Sequence, residues 1–508
     1  MEPHQFMSRS TLVGATFLAV LMAILAVWSD LPGPAADDLF YVGPAISYAQ
    51  HGRLYMPLLA GQQFPTREFL IYPAFYQYML GGWLKVFGIS TRSILAFVQL
   101  GYLVAGFAGT FLASRLAGRL PSPGWLWPSM IMLGLLVTLG TMGFRPDVWA
   151  FGVMLAGFCV WMNGAFVARA AGWFGVGCSL MISPNVLPYA AVLAVLLLLW
   201  RDGRPGRRTA AEVGPLALAA VLVAALFLAS IQGRWTEFHQ AFLFHARRAV
   251  LPPLESLDVG LRRYVNGFRA HPAFFVSLAV CALATVRAVA ARSPGRPGAS
   301  RFLVCLTALF AAGLLSVAMT WIREELRLFT LVLAAGGGCF WILLEGGPAA
   351  RRMAWVGFVA VFAAASWIKD PLEPRWLPAA RPDPAHVREA LACVAREPGR
   401  IFLVDAYTAR SVFDYHLPVN ARDWEFSMPF PKLNPTSPYA IPPSQTWIVA
   451  GLTLKMVEPA VVRFVPFSIG PLRLRRMARA FDVYVIDGRL PARRQLGLPE
   501  PAVRAAAR

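Results

Sequence analysis

The sequence predicts a polytopic α-helical membrane protein of about eleven crossing helices, with a small C-terminal α/β domain. Three observations predict it. Of 508 residues, 57% are apolar and 15% charged, which is too apolar and too sparsely charged for an ordinary water-soluble domain. Apolar runs of roughly eighteen residues recur along the chain, each able to reach across a hydrocarbon core. After Lys369 the composition turns polar, and short strand-like runs replace the long apolar ones. The net charge of +20 does not indicate a nucleic-acid partner, because the arginines gather between apolar runs, where they set topology.

The first apolar run, Thr11 to Trp28, follows Arg9 and has no small-residue cleavage pattern, so it reads as a retained helix rather than a removed signal peptide. The loop after it, residues 29–92, opens with the paired acids Asp37-Asp38, continues as an amphipathic run and turns at Gly52-Arg53. Within that loop, Tyr72 to Phe87 is apolar but broken by Gly81-Gly82. About 16 residues at 1.5 Å each reach only some 24 Å, so this piece reads as a juxtamembrane or re-entrant helix. Crossing helices follow at Ser93–Ala113, Trp125–Phe144 and Val148–Val167. Gly172 to Trp200 is longer than one helix needs, and Ser183-Pro184-Asn185 divides it into two short helices. Ala211–Ile231 comes next, then a long polar loop over residues 232–271, then runs at Pro272–Val289, Phe302–Ile322, Leu328–Leu344 and Met353–Ile368.

Charge decides the count. If Tyr72–Phe87 does not cross, the clusters at Arg115 and Arg119, Arg169, Arg201 to Arg208, Arg287 to Arg301 and Arg351-Arg352 all fall on one side. The positive-inside rule makes that side cytoplasmic. The opposite, extracytoplasmic face then receives Asp37-Asp38, Arg145-Pro146-Asp147, Ser183-Pro184-Asn185, the long loop, Arg323 to Arg327 and the C-terminal domain. The domain boundary falls at 369/370. In residues 370–508, Pro382–Arg396 and Ala406–Tyr415 read as helices, and Arg400–Asp405, Thr446–Gly451, Val462–Phe467 and Phe481–Ile486 as strands. The tail from Pro491, rich in Arg and Ala, reads as frayed.

Five of the six cysteines lie in apolar runs and only Cys393 lies in the polar domain, so no disulfide framework exists. No zinc spacing, nucleophile elbow or phosphate-binding glycine loop is present, and Gly336-Gly337-Gly338 lies in an apolar run, where it suits helix packing. Chemistry must therefore come from the polar groups of the outer face. Asp37 and Asp38 can supply a general base or a metal-binding pair. Arg145, Arg327 and the loop residues His245, Arg247 and Arg248 can hold a phosphate, and Asp147 can orient one of those arginines. Cations gathered at the outer leaflet suit a lipid phosphate.

The layout resembles the GT-C superfamily of membrane glycosyltransferases, in particular the branch of protein O-mannosyltransferases and lipid A aminoarabinose transferases. The residues that carry the resemblance are Asp37-Asp38, Tyr41, Gly52, Pro57 and Tyr72-Pro73 with Tyr76 and Tyr78, then Pro146-Asp147 and Arg327-Leu328-Phe329. They span roughly residues 10–345. The acidic pair is Asp-Asp where the family usually has Asp-Glu, and Tyr72-Pro73 stands where the aminoarabinose branch has Lys-Pro.

The resemblance implies a polyprenyl-phosphate sugar donor, a cell-envelope acceptor (lipid, glycan or protein) and inversion at the transferred carbon. It implies a multi-pass protein of the bacterial inner membrane, working on the periplasmic face among membrane lipids. Asp37 is then the base. Asp38 positions it or binds a divalent ion such as Mg or Mn, and otherwise no cofactor is required. Tyr41, Tyr72, Arg145, Asp147, His245, Arg248 and Arg327 are the expected substrate-binding residues. The alternative is a transporter or flippase of lipid-linked sugars; transporters commonly carry internal repeats with a site at mid-membrane, whereas this chain shows no internal repeat and collects its polar groups at one face.

Overall fold

A computed structural model of the chain describes residues 9–29, 38–54, 69–70, 73–117, 144–200 and 205–249, four short helical pieces between 128 and 309, and five strands between 400 and 487. The helices are α1 (Arg9–Trp28), α2 (Asp38–His51), α3 (Phe75–Phe87), α4 (Thr91–Ala117), α5 (Asp147–Trp161), α6 (Phe166–Ile182), α7 (Leu187–Trp200), α8 (Pro205–Ser230) and α9 (Trp235–Ala249). A single 3₁₀ turn, Pro184–Val186, joins α6 to α7. The expected crossing helices within 125–144, 272–289, 302–322, 328–344 and 353–368 fall almost wholly outside the described residues. So do the strand expected at 462–467 and the helices expected at 382–396 and 406–415.

The described helices form a membrane bundle. Thr91–Leu116 and Ala211–Ser230 are long and apolar enough to cross, and shorter apolar helices pack with them. At 1.5 Å per residue, the 27 residues of α4 reach about 40 Å. Leu12, Val13, Phe17, Ile24 and Leu25 of α1 and Val213, Leu216, Val221 and Leu222 of α8 are exposed. So much apolar surface belongs against lipid rather than water.

Small residues set the helix spacing inside the bundle. α1 buries Ala15, Ala19, Ala23 and Ala26, a stripe that lets it lie close to α4. α5 and α6 touch through glycine: a Cβ at Gly172 would sit 2.7 Å from the Gly157 carbonyl oxygen. The largest fully buried side chains include Tyr76, Tyr102, Tyr189, Phe151 and Phe158, which fill the space between these helices.

Hydrogen bonds fix the direction of each helix. Near the first turns of α4 and α5, the Trp149 indole donates to the Phe97 carbonyl at 3.0 Å. Near their last turns, Arg115 donates to the Cys159 carbonyl at 3.1 Å and to Asn163 Oδ1 at 2.8 Å. The two helices therefore run parallel, and the bundle has an Asp147 end and an Arg115 end. At the Arg115 end, Glu212 of α8 accepts from the Trp161 and Trp173 indoles and from Arg169, clamping α5, α6 and α8 together.

Among the described residues, the side-chain hydrogen bonds of α3 lie at the Asp147 end. Its Tyr76 hydroxyl donates to the Phe144 carbonyl at 2.6 Å, its Tyr78 hydroxyl to the Ser230 carbonyl at 3.0 Å, and its Trp83 indole to the Ser93 carbonyl at 2.9 Å. Those acceptors lie just before α5, at the end of α8 and at the start of α4. One short helix that reaches all three lies across the bundle end, as the sequence predicts for this piece.

Two expectations change. Val148–Val167 reads as one helix, but α5 stops at Trp161 and the chain turns through Asn163-Gly164, with Gly164 at φ 85°, before α6 begins. The polar loop expected over residues 232–271 opens instead with an amphipathic helix, α9. Its polar residues are spaced so that they leave one apolar flank, a pattern that a count of polar residues cannot distinguish from a loop.

The five strands are β1 (Arg400–Leu403), β2 (Trp424–Phe426), β3 (Thr446–Ala450), β4 (Arg473–Ala478) and β5 (Val483–Asp487), in the order β2-β1-β3-β5-β4. β1 pairs parallel with β2 and β3, while β5 pairs antiparallel with β3 and β4. β1, β3 and β5 fall where the sequence predicts strands. β2 has three residues and β4 reads Arg-Leu-Arg-Arg-Met-Ala, so neither carries an apolar run. The β2 edge meets α2, which puts the sheet beside the helix that opens with Asp38.

Candidate active site

The described part of the site is built on the start of α5. Pro146 precedes the helix, and Asp147 takes its first position, where a carboxylate meets the positive end of the helix dipole. Asp147 is almost fully buried, and an ionised carboxylate removed from water needs donors around it. It has three. Arg145 Nε donates to Oδ2 at 3.0 Å, Ser183 Oγ to Oδ1 at 2.7 Å and Asn185 Nδ2 to Oδ1 at 3.1 Å. The Ser183-Pro184-Asn185 break that divides α6 from α7 thus presents its two polar side chains to one carboxylate.

Arg145 is buried as well, and its guanidinium carbon lies 5.4 Å from the centre of the Tyr41 ring. Tyr41 stands in the first turn of α2, three residues after Asp38. This cation–π contact ties the helix of the acidic pair to the ion pair on α5. Tyr76 holds the same place from another side, since its hydroxyl bonds the carbonyl of Phe144, the residue before Arg145. Phe97 and Trp149 stack with ring centres 4.9 Å apart and seat the start of α5 against α4.

Around α3 the packing is equally close. Tyr48 and Tyr78 meet edge to face at 5.0 Å, and Lys85 Nζ lies 4.0 Å from the Tyr48 ring centre. Burial raises the pKa of the Tyr78 hydroxyl above its ordinary value, although a hydrogen bond with Gln232 opposes this. Tyr78 therefore stays protonated and donates to Ser230 at any physiological pH.

Of the residues singled out from sequence, the structure brings Tyr41, Arg145 and Asp147 together. Asp38 opens α2, and His245 and Arg248 lie in the last turns of α9, but the side chains of these three are outside the described set. Asp37, Tyr72 and Arg327 lie outside the described residues. Sequence reasoning marks Ser183 and Asn185 only as a helix break and misses them as partners of Asp147. Two polar side chains flanking a proline inside an otherwise apolar run are the signal that points to them. Among the described residues, no group of three or more His, Cys, Asp or Glu side chains is arranged to hold a metal.

No protein-family model and no curated protein matches the sequence. Solved structures do. ArnT from Cupriavidus metallidurans bound to undecaprenyl phosphate superposes with a TM-score of 0.51, over 93% of this chain and 98% of that one, at 13% identity. The chain has the GT-C membrane fold. The apo state of the same ArnT gives a TM-score of 0.44 at 16% identity, over 94% of this chain and 98% of that one. The mycobacterial arabinofuranosyltransferase AftD gives 0.49 at 15% identity, over 94% of this chain and 40% of its own longer one. The GT-C resemblance carried by Asp37-Asp38, Tyr41 and Pro146-Asp147 in the sequence is thus matched by the fold.

Proposed function

We propose that the chain is an integral-membrane glycosyltransferase. It moves a sugar from a polyprenyl-phosphate donor to a cell-envelope acceptor at the extracytoplasmic face of the inner membrane, with inversion. The observation that carries this reading is the buried Arg145–Asp147 pair at one end of a GT-C bundle, beneath Tyr41 on the helix that opens with Asp38. A carboxylate that fixes a guanidinium through Nε holds the orientation of the whole planar fork, and that fork suits a phosphate oxygen. Arg115 and Arg169 lie at the opposite end of the bundle, so the positive-inside rule puts the Asp147 end outside. The C-terminal sheet is read as an extracytoplasmic α/β domain, and the contact of β2 with α2 supports that reading.

The chemistry is a single displacement. The acceptor hydroxyl oxygen bonds to the anomeric carbon of the sugar from the face opposite the phosphate. As it does so, the bond from that carbon to the phosphate oxygen breaks, and its electron pair leaves with the lipid phosphate. Asp37 takes the hydroxyl proton. A phosphate leaving group has a low pKa, so it needs fixed positive charge more than it needs a proton, and Arg145 with Arg327, His245 and Arg248 supplies that charge. Asp38 positions Asp37 or, with a divalent cation bound, would help to hold it, and the ion would supply further positive charge to the site.

Equilibrium binding of undecaprenyl phosphate to the purified protein in nanodiscs tests the donor site. A hydrogen bond to a charged group contributes about 1.5–3 kcal/mol, so Arg145→Ala is expected to weaken binding about 10- to 100-fold. Arg145→Lys is expected to recover only part of that loss, because an ammonium lacks the fork. Unchanged affinity in Arg145→Ala removes Arg145 from the donor site.

A further inference from the structure

The helix that replaces the expected loop has three faces. On α9, Phe238 and Ala241 are buried, packed with Leu70 and with Phe227 and Ile231 at the end of α8. At 100° per residue, Trp235, His239, Phe242 and Leu243 form a second strip beside that buried face. Trp235 is 54% exposed and Phe242 42%, with Leu243 and His239 also open, and the Trp235 and His239 rings stack at 6.1 Å. Thr236 and Gln240 stand on the third, polar face, and Arg247 and Arg248 occupy the last turn.

The place of α9 in the fold says what covers the apolar strip. α9 starts five residues after Ser230, where α8 ends at the Asp147 end of the bundle. α8 faces lipid along much of its length, with Val213, Leu216, Val221 and Leu222 exposed. Between them the chain bends sharply at Gln232 and Gly233, at φ 54° and 71°. Gln232 holds that left-handed conformation without being glycine, and the bend is further fixed by the Gly233 amide, which donates to the Leu228 carbonyl. The exposed apolar strip of α9 is thus held by a fixed turn next to the end of a helix whose own exposed face is apolar.

We propose that α9 is an interfacial membrane anchor. It lies in the bilayer surface, with Trp235, Phe242 and Leu243 seated at the boundary between headgroups and acyl chains. A helix with one docked face, one apolar strip and one polar face fits that boundary. The Tyr78–Ser230 bond ties α3 to the end of α8, and Leu70, five residues before α3, packs on Phe238 and Ala241 of α9, so the anchor also fixes the height of the juxtamembrane layer above the lipid.

The test is photo-cross-linking of the full chain in nanodiscs of mixed phosphatidylcholine and phosphatidylglycerol. Benzoylphenylalanine replaces Phe242, Leu243 or Gln240 in separate preparations, each checked for an unchanged elution profile. The expected result is phospholipid adducts from positions 242 and 243 and few from 240. Equal lipid yields at all three positions overturn the proposal, as do adducts from 242 and 243 that fall on protein instead. The readout does not involve sugar transfer, so it stands or fails apart from the enzymatic reading.

Discussion

Taking a carboxylate out of water without partners costs several kcal/mol, and Asp147 escapes that cost through Arg145, Ser183 and Asn185. Removing one member of a buried pair strands the other. Asp147→Ala is therefore expected to destabilise the protein by about 3–5 kcal/mol, read as a lowered melting temperature in detergent. Ser183→Ala removes one neutral donor of three and is expected to cost about 1 kcal/mol. A melting temperature for Asp147→Ala equal to that of Ser183→Ala would contradict the ion-pair account. The role of Asp38 separates by metal dependence. If it holds a cation, chelation abolishes transfer in the parent and Asp38→Asn raises the Mg²⁺ concentration needed to restore it; if it positions Asp37, chelation changes nothing. Arg327→Ala is expected to weaken donor use, with Arg327→Lys rescuing only in part. Identical donor kinetics in Arg327→Ala would remove that residue from the site.

At the scale of elements, helix packing sets the register that brings Asp147 to Ser183. Gly172→Val adds a Cβ that would lie 2.7 Å from the Gly157 carbonyl, so α5 and α6 must part. Overpacking of this kind costs about 1–3 kcal/mol, and here it is expected to lower donor affinity as well as the melting temperature. Tyr76→Phe deletes the bond to Phe144 and is expected to cost about 1 kcal/mol while leaving α3 in place. The apolar runs made most of these helices legible, because a crossing helix must be apolar along its length. The Ser183-Pro184-Asn185 break was legible because proline cannot continue the hydrogen-bond ladder. α9 was not, since its signal is periodicity within a polar stretch, and β2 and β4 were not, since pairing with β1 and β5 rather than their own composition makes them strands.

At the scale of the whole molecule, the sequence made the outer-face collection of polar groups visible but not their contacts. Arg145 and Asp147 are two residues apart, so their pairing is local. Their links to Tyr41, Ser183 and Asn185 span long stretches of chain and depend on how α2, α5 and α6 pack, which no spacing rule reports. Orientation rests on the Arg115 end being cytoplasmic. Reporter fusions at Gly203 and Ser411 are expected to report opposite sides of the membrane, with Gly203 inside. Agreement between the two would overturn the orientation.

Sugar transfer by the acidic pair at the start of α2 is tested most directly by a transfer assay on near-isosteric variants. Purified protein is given a polyprenyl-phosphate sugar and a crude envelope acceptor, and wild type is compared with Asp37→Asn and Asp38→Asn. Asn keeps the shape and removes the base, so Asp37→Asn is expected to lower transfer by about 10²-fold or more with donor binding intact. Loss in Asp38→Asn alone would move the base to that neighbour, and full activity in both variants would contradict the claim.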